Sequence, residues 1–283
     1  MYMELEDEFG DVIGKARRGQ EISTSDLAAL CSLKSKEIEE IERDYVIPGL
    51  DVVELLASNL GIHSEKLKNS ARKSYFPLYP SGRAFGGVLV EMLVLGTSFL
   101  MNGYVVGCSE TYKGVIVDPG FDPEKILKVI ESLGLEIEAV LLTHGHADHV
   151  GALSEICQAT GAPALINNSD KTLLGNQSSK IEGGLSEGQV FEVGKLRFEI
   201  ISSGGHTSGG VSILHDNFVF VGDALFAGSM GGTCNRTAYD EQRYAIRERI
   251  LTLDENVILY PGHGPATTVG EERLNNPFFD NLC

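Results

Sequence analysis

The chain divides by the period of its apolar positions. Up to about residue 74 they recur at helical spacing. Ser23 followed by Asp26, then Leu27, Ala28 and Leu30, reads as a capping box opening a short helix. A second short helix carries Ile38 and Ile41, and Val52 to Leu60 belong to a longer one closed by Gly61. At Tyr75 to Arg83 (YFPLYPSGR) two prolines, a glycine and aromatic residues predict a boundary.

Beyond that boundary, short strand-like runs alternate with amphipathic helices. The stretch from Gly87 to Gly107 holds a single charge, Glu91, and is long enough to cross a bilayer. Its glycines, Asn102, Thr97 and Ser98 divide it into two β-rich runs, Val88 to Leu95 and Tyr104 to Val106, so it predicts buried strands. Further strands are expected at Val115 to Val117, Ala139 to Leu142, Leu196 to Ile201, Val211 to Leu214, Phe218 to Val221 and Val257 to Tyr260. Helices are expected at Pro123 to Leu133, Val150 to Gly161 and about Glu241 to Leu253. This alternation predicts an α/β sandwich with special residues in loops at strand ends.

Composition narrows the field. Of 283 residues, 42% are hydrophobic and 22% charged, which places the chain among globular proteins. Forty acidic against 23 basic side chains give a net charge of -17, so a general affinity for nucleic acid is excluded. Residues 1 to 74 alone hold 15 acids and 10 bases, or -5. Five scattered cysteines (Cys31, Cys108, Cys157, Cys234, Cys283) form no C-x-x-C pair, and the N-terminus has no signal-peptide pattern. A cytoplasmic location, reduced thiols and no membrane partner are the expectation.

The candidate chemistry lies in the histidines. Five of the seven stand in glycine-rich loops at strand ends. Thr143-His144-Gly145-His146-Ala147-Asp148-His149 packs three imidazoles and a carboxylate into one loop. In extended chain, His144 and His146 project to one side, while Asp148 and His149 begin the next helix. His206 (Gly204-Gly205-His206-Thr207) and His263 (Pro261-Gly262-His263-Gly264) occupy similar loops, and Asp223 follows a strand in Gly222-Asp223-Ala224. These are zinc, iron or manganese donors, enough for two ions sharing one carboxylate.

With Asp118 ahead of them, these ordered motifs resemble the metallo-β-lactamase superfamily of hydrolases from about Glu91 to Phe279. The tail Gly262 to Thr268, with Glu271, Glu272, Arg273 and Asn276-Pro277-Phe278, is most similar to its glyoxalase II-like branch. The resemblance implies an αββα sandwich in residues 85–283. It assigns His144, His146 and His206 to a first metal, Asp148, His149 and His263 to a second, and Asp223 to both. Asp118 is implied to orient a ligand imidazole, and Asp148 to be catalytic as well as a ligand. Two divalent ions, zinc with iron or manganese as alternatives, would generate a hydroxide nucleophile that attacks a small ester, thioester or lactone-like substrate. A mononuclear-iron persulfide dioxygenase and a ligand-sensing transcription regulator are the rival readings.

Departures from the family bear on the substrate. Only about twenty residues follow His263, leaving no helical domain to grip glutathione. Met230-Gly231-Gly232-Thr233 stands where many relatives carry an arginine, and Gly204 replaces a proline, which should loosen that loop. No long insertion is present, which disfavours nuclease activity. Arg236 is the nearest candidate cation for substrate, Cys234 is read as a small buried thiol, and His63 and His215 as surface histidines.

Ile13 to Leu67 resembles the Cro-like helix-turn-helix of phage repressors, through Arg17, Leu27, Ala28, Ile38, Ile41, Glu42, Arg43 and Pro48. The all-α domain is placed at 1–74 and a linker at 75–84. Arg17 and Glu42 are expected to pair. Ser35 and Lys36 would face DNA, but Glu37, Glu39 and Glu40 beside them repel phosphate, so a protein-interaction or dimerisation role is favoured and a homodimer is the candidate assembly.

Overall fold

The computed structural model describes residues 4–77 and 84–280. Residues 78–83 of the expected linker and Cys283 lie outside them. Five helices come first: α1 (Phe9–Gly19), α2 (Thr24–Leu30), α3 (Ser35–Glu42), α4 (Leu50–Leu60) and α5 (Ser64–Ala71). The stripe Phe9, Val12, Ile13 and Ala16 buries one face of α1 at helical spacing. Ser23 caps α2 by accepting from the Asp26 amide. Arg17 grips Glu42 with two hydrogen bonds of 2.5 and 2.9 Å, tying α1 to α3 as expected. Between α2 and α3 the chain needs one left-handed residue, and Ser32 supplies it at φ 56°.

Two sheets follow. The first runs β1 (Ala84–Phe85), β2 (Val88–Leu95), β3 (Met101–Cys108), β4 (Lys113–Val117), β5 (Glu136–Leu141), β6 (Ala164–Ile166) and β7 (Ile181–Gly184) in spatial order. It is antiparallel up to β4 and parallel from β4 onward. The second contains β8 (Val190–Val193), β9 (Leu196–Ser202), β10 (Val211–His215), β11 (Phe218–Gly222), β14 (Ile258–Pro261) and β15 (Thr267–Thr268), in the order β15-β14-β11-β10-β9-β8. A small hairpin, β12 (Leu225–Phe226) with β13 (Ser229–Met230), lies apart. The helices of this part are α6 (Pro123–Leu133), α7 (Ala147–Val150), α8 (Leu153–Thr160), α9 (Arg236–Ala245) and α10 (Val269–Asn275).

Period-two alternation divides the core into layers. Phe218 and Phe220 of β11 point between the sheets, joining Tyr104, Val106, Val117, Phe198 and Tyr260. Val105, Ile116 and Val140 point the other way, under α6 and α8. On the opposite outer face Val219, Val221 and Leu259 meet α9, Phe278 and Phe279, and the same apolar cluster continues without a break into Ile13, Leu27, Ile38, Leu56 and Leu60. The helical N-terminal part is therefore packed into an outer layer of the sandwich. Lys66, itself buried, donates from α5 to the carbonyls of Arg273 and Phe279, and the His63 amide donates to Pro277.

Two expected helices are corrected. Val150 to Gly161 is broken into α7 and α8, because the Val150 carbonyl accepts from Gln177 and the Ala152 amide donates to Pro119. The helix expected at Glu241 starts earlier, at Arg236, where Asn235 accepts from the Ala238 amide, and it ends in a π-helical turn at Ile246–Ile250. Two expectations for single residues are also corrected. His215 is buried and stacked on Phe218 with ring centroids 4.5 Å apart, and Cys234 is exposed.

One buried carboxylate ties the C-terminal segment down. Glu272 accepts from Tyr75 and Thr267 hydroxyls on Oε1, and from the Gly228 amide and Asn276 on Oε2, all at 2.8 to 2.9 Å. Burial nonetheless pushes its pKa up to about 7. Above the unfolded value of 4.5, a native state that holds its proton more tightly loses stability as pH rises. Between pH 4.5 and 7 the wild type should lose up to about 3 kcal/mol relative to Glu272→Gln, measured by denaturant unfolding at each pH.

The continuous core makes a second prediction. Ile13→Ala removes a fully buried side chain from α1 and should cost about 2 to 5 kcal/mol. It should shift a single unfolding transition that reports helices and sheets together. Two separate transitions, with only the helical one moved, would contradict the shared core.

Candidate metal centre

The C-terminal ends of β4, β5, β11 and β14 lie along one edge of the sandwich, and each is followed by a candidate residue. Asp118 follows β4, His144 lies just beyond β5, Asp223 follows β11 and His263 follows β14, while His206 comes from the loop between β9 and β10. Parallel pairing of β4 with β5 and of β11 with β14 brings these ends together.

Each imidazole turns one ring nitrogen into a shared volume. His146 Nδ1 stands 3.1 Å from His144 Nε2 and 3.0 Å from His206 Nε2. On the other side, Asp148 Oδ2 lies 3.2 Å from His263 Nε2 and 3.4 Å from His149 Nε2. Asp223 sits between the groups, 3.5 Å from His206 Nε2 and 3.6 Å from His263 Nε2 through Oδ2, and 3.3 Å from His149 Nε2 through Oδ1. The seven side chains singled out by the motifs thus converge as two groups of three around Asp223.

The outer nitrogens show how each ring is aimed. Nδ1 of His149 lies 2.9 Å from Asp118 Oδ2, that of His206 lies 2.7 Å from the Gly232 carbonyl, and that of His263 lies 2.8 Å from the Leu100 carbonyl. Each acceptor calls for a proton on Nδ1 and leaves Nε2 with its lone pair turned inward. Thr143 extends the pattern. Its hydroxyl donates to Asp118 at 2.6 Å, so its oxygen is free to accept from His144 Nδ1 at 3.1 Å. Asp118 also accepts from the Thr143 amide at 2.8 Å and is buried.

The electrostatics favour a cation. Burial would lower the pKa of His149, but Asp223, Asp118 and Asp148 outweigh it and hold it well above the usual histidine range. Burial would raise the carboxyls of Asp148 and Asp223, yet the surrounding histidines keep both below the usual range. His144 goes the other way, lowered by burial and by the neighbouring His149. His149 Nε2 and Asp223 Oδ1 are buried with no hydrogen-bond partner among the described residues. Lone pairs from imidazoles and carboxylates, facing each other without donors between them, fit divalent cations. The donor set passes that test at both groups.

Several positioning residues carry no sequence signal. Asp170, fully buried in the 3₁₀ segment Asn168–Lys180, accepts from the Gly145 amide at 3.0 Å and the Gly209 amide at 2.7 Å. One carboxylate thereby clamps both histidine loops. Asn102 holds the His263 loop through the Pro261 and Gly264 carbonyls, and Tyr104 donates to Pro261 as well. Gly262 is confined there, since a Cβ would lie 2.1 Å from Asp223 Oδ1. The ends of the loop at Gly204 are tied by the Ser203 amide, which donates to the Gly210 carbonyl, and by the Gly209 amide, which donates to Asp170.

Other candidates fall elsewhere. The Arg236 guanidinium bonds Asp240 and Gln20 of the helical part, at 2.8 and 3.2 Å. Lys36 pairs with Glu40 at 3.4 Å, Ser35 opens α3, and Glu37 and Glu39 stand exposed beside them.

Comparison with known proteins agrees with the geometry. Residues 102–263 match the family model of the Metallo-beta-lactamase superfamily. Hydroxyacylglutathione hydrolase GloC of Haemophilus influenzae is 34% identical over 203 residues, covering 65% of this chain and 95% of that protein. Among solved structures, the BLEG-1 B3 metallo-beta-lactamase is 29% identical with a TM-score of 0.61, over 67% of this chain and 99% of that one. The di-iron-bound form of TTHA1623 is 32% identical with a TM-score of 0.56, over 67% and 100%.

Asp170 gives this geometry a test. Asp170→Ala should release both histidine loops and weaken binding of added zinc about 10- to 100-fold, read by competition with a chromophoric chelator. Unchanged affinity would show that the loops hold their positions without it.

Proposed function

The chain belongs to the metallo-beta-lactamase superfamily of hydrolases, and on that premise we propose that it hydrolyses a small ester, thioester or lactone-like substrate with two divalent ions at this centre. The observation that carries the reading is the paired donor set: two groups of three inward-facing atoms with Asp223 between them. His144, His146 and His206 would hold one ion, Asp148, His149 and His263 the other, and Asp223 would contact both. When bound, the ions supply a hydroxide at neutral pH and polarise the scissile carbonyl.

The residues of the chain supply the rest. Asp118 fixes the His149 ring and, through Thr143, the His144 ring, so that neither imidazole must reorient. Asp148 is partly exposed, unlike the buried Asp223, and in this reading is the catalytic carboxylate as well as a ligand. The name of the Haemophilus relative supports a thioester within the substrate class. Zinc is the proposed metal, with iron or manganese also suited to imidazole and carboxylate donors, and a di-iron form is recorded for one structural relative. No helix among the described residues is long and apolar enough to cross a membrane. Recognition of DNA by Ser35 and Lys36 is not part of the proposal, since the carboxylates around them would face phosphate.

Metal analysis and a panel of thioesters, lactones and phosphoesters test the reading. Two metal equivalents per chain are expected. Asp223→Ala should remove at least one of them and lower kcat/KM more than 100-fold, while far-ultraviolet circular dichroism is unchanged. One tightly held iron per chain with oxygen consumption would overturn the hydrolytic reading in favour of the dioxygenase. Full activity in Asp223→Ala would overturn the ligand assignment.

A further inference from the structure

The segment after Asp223 leaves the metal centre and returns to it. It turns through the hairpin of β12 and β13 and brings the Gly232 carbonyl back to 2.7 Å from His206 Nδ1. Up to Met230 the segment is held by strand pairing and by Glu272 at Gly228; beyond it come two glycines. Gly231 is confined, since a Cβ there would lie 1.8 Å from the Asp223 carbonyl oxygen and 3.1 Å from His206 Nδ1. A Cβ on Gly232 would meet nothing within 4 Å, so no packing of its own fixes the carbonyl that aims His206. Two successive glycines also lose more backbone freedom on ordering than any other pair.

Gln242 supplies the constraint. It stands on α9, fully buried, and its Nε2 donates to the Ala224 carbonyl at 2.9 Å and to the Gly231 carbonyl at 3.0 Å. One nitrogen thereby joins the residue after Asp223 to the residue before Gly232. Two carbonyls facing one atom call for an N–H₂ group, which sets the orientation of the amide. The same side chain backs the loop of His206. Gly205 has φ 140°, and a Cβ on it would lie 2.4 Å from Gln242 Cβ and 2.6 Å from the Ala238 carbonyl oxygen.

The helix that carries Gln242 is itself braced by the helical part. A Cβ on Gly19 would lie 2.4 Å from Tyr239 Cδ2 and 2.7 Å from Thr233 Oγ1, so the end of α1 abuts both α9 and the loop before it. The Arg236 amide donates to Glu21 at 3.2 Å, and its guanidinium to Gln20. The His263 side is braced separately. There the Lys15 ammonium lies 4.7 Å over the Phe226 ring, which meets the His263 ring edge-on with centroids 6.0 Å apart, and the Glu6 backbone packs on Gly264.

We propose that Gln242 is a positioning residue of the metal centre, which ties the Asp223 loop to the acceptor of His206 and so holds His206 Nε2 and Asp223 Oδ2 at their separation of 3.5 Å. The inference rests on the two-ion reading above, in which these two ligands share an ion. With the tie cut, the Gly231-Gly232 link must be ordered when metal binds, and that entropy opposes binding.

The test uses the full-length protein with zinc as the probe, and stepwise affinities read by competition with a chromophoric chelator. Gln242→Met keeps the length of the side chain and removes both donors, and it should weaken one of the two binding steps about tenfold or more. Gln242→Asn keeps the amide and withdraws it by one methylene. It should give a smaller loss at the same step, and it decides the matter if the Met variant does not fold. Ile13→Ala lowers stability without touching the tie and should leave both affinities unchanged. Wild-type zinc affinities in the folded Gln242 variants, or an equal loss in Ile13→Ala, would overturn the inference. If the wild type takes up a single zinc, the two-ion reading fails, and the effect of the Gln242 variants on that one affinity still decides the role of Gln242.

Discussion

Five imidazoles pointing their lone pairs into one volume is an arrangement that a folded chain resists unless something cationic is gained by it. Ring nitrogens about 3 Å apart compete for few protons, and the carboxylates among them add charge in a buried setting. The structure holds four of the five there by spending the outer face of the ring on a fixed acceptor: Asp118 for His149, the Gly232 carbonyl for His206, the Leu100 carbonyl for His263 and the Thr143 hydroxyl for His144. Those acceptors sit on different strands and loops, so the register of both sheets is what keeps the inner atoms converging. A slip of one residue in β5 or β11 would turn His144 or Asp223 to the opposite face.

The same dependence explains the load on loops far from the donors. Asp170 binds the loops of two donor groups together. Asn102 and Tyr104, both in β3, hold the Pro261 carbonyl and so the start of the His263 loop. Glu272 acts one layer further out, joining Tyr75 and the Gly228 turn after Asp223 to α10. Rigidity at the centre is thus assembled from buried polar groups that are nearly all satisfied.

The helical N-terminal part is joined to this frame by packing as well as by sequence. Its apolar faces and the outer face of the second sheet form one cluster, in which Val219 and Val221 of β11 stand four and two positions before Asp223. A strand that carries core residues on both sides and a donor at its end couples the helical layer to the site physically. Motion of α1 against the sheet would be felt at Phe226 and Gly264, the neighbours of His263.

Much of this was legible in the residue order, for a local reason. Strand alternation, the Ser23 cap, the Arg17–Glu42 pair and the histidine loops are all encoded within a few residues or in a motif of fixed spacing. Where competing long-range bonds decide, the reading went astray: α7 and α8 are separated by Gln177 and Pro119, and α9 begins at a cap the apolar period does not mark. His215 stacks on Phe218, its partner across the short β10–β11 turn, but the Phe198 ring of β9 on its other side is 17 positions away and has no local signal. By itself the sequence determined which side chains offer lone pairs and in which loops they stand, since donor chemistry belongs to each residue. Only the tertiary structure decided that Asp170 would clamp two loops, that Arg236 would bond Gln20, and that Glu6 would pack on Gly264. Those contacts join residues 39, 216 and more than 250 positions apart, and proximity over such separations is set by packing alone.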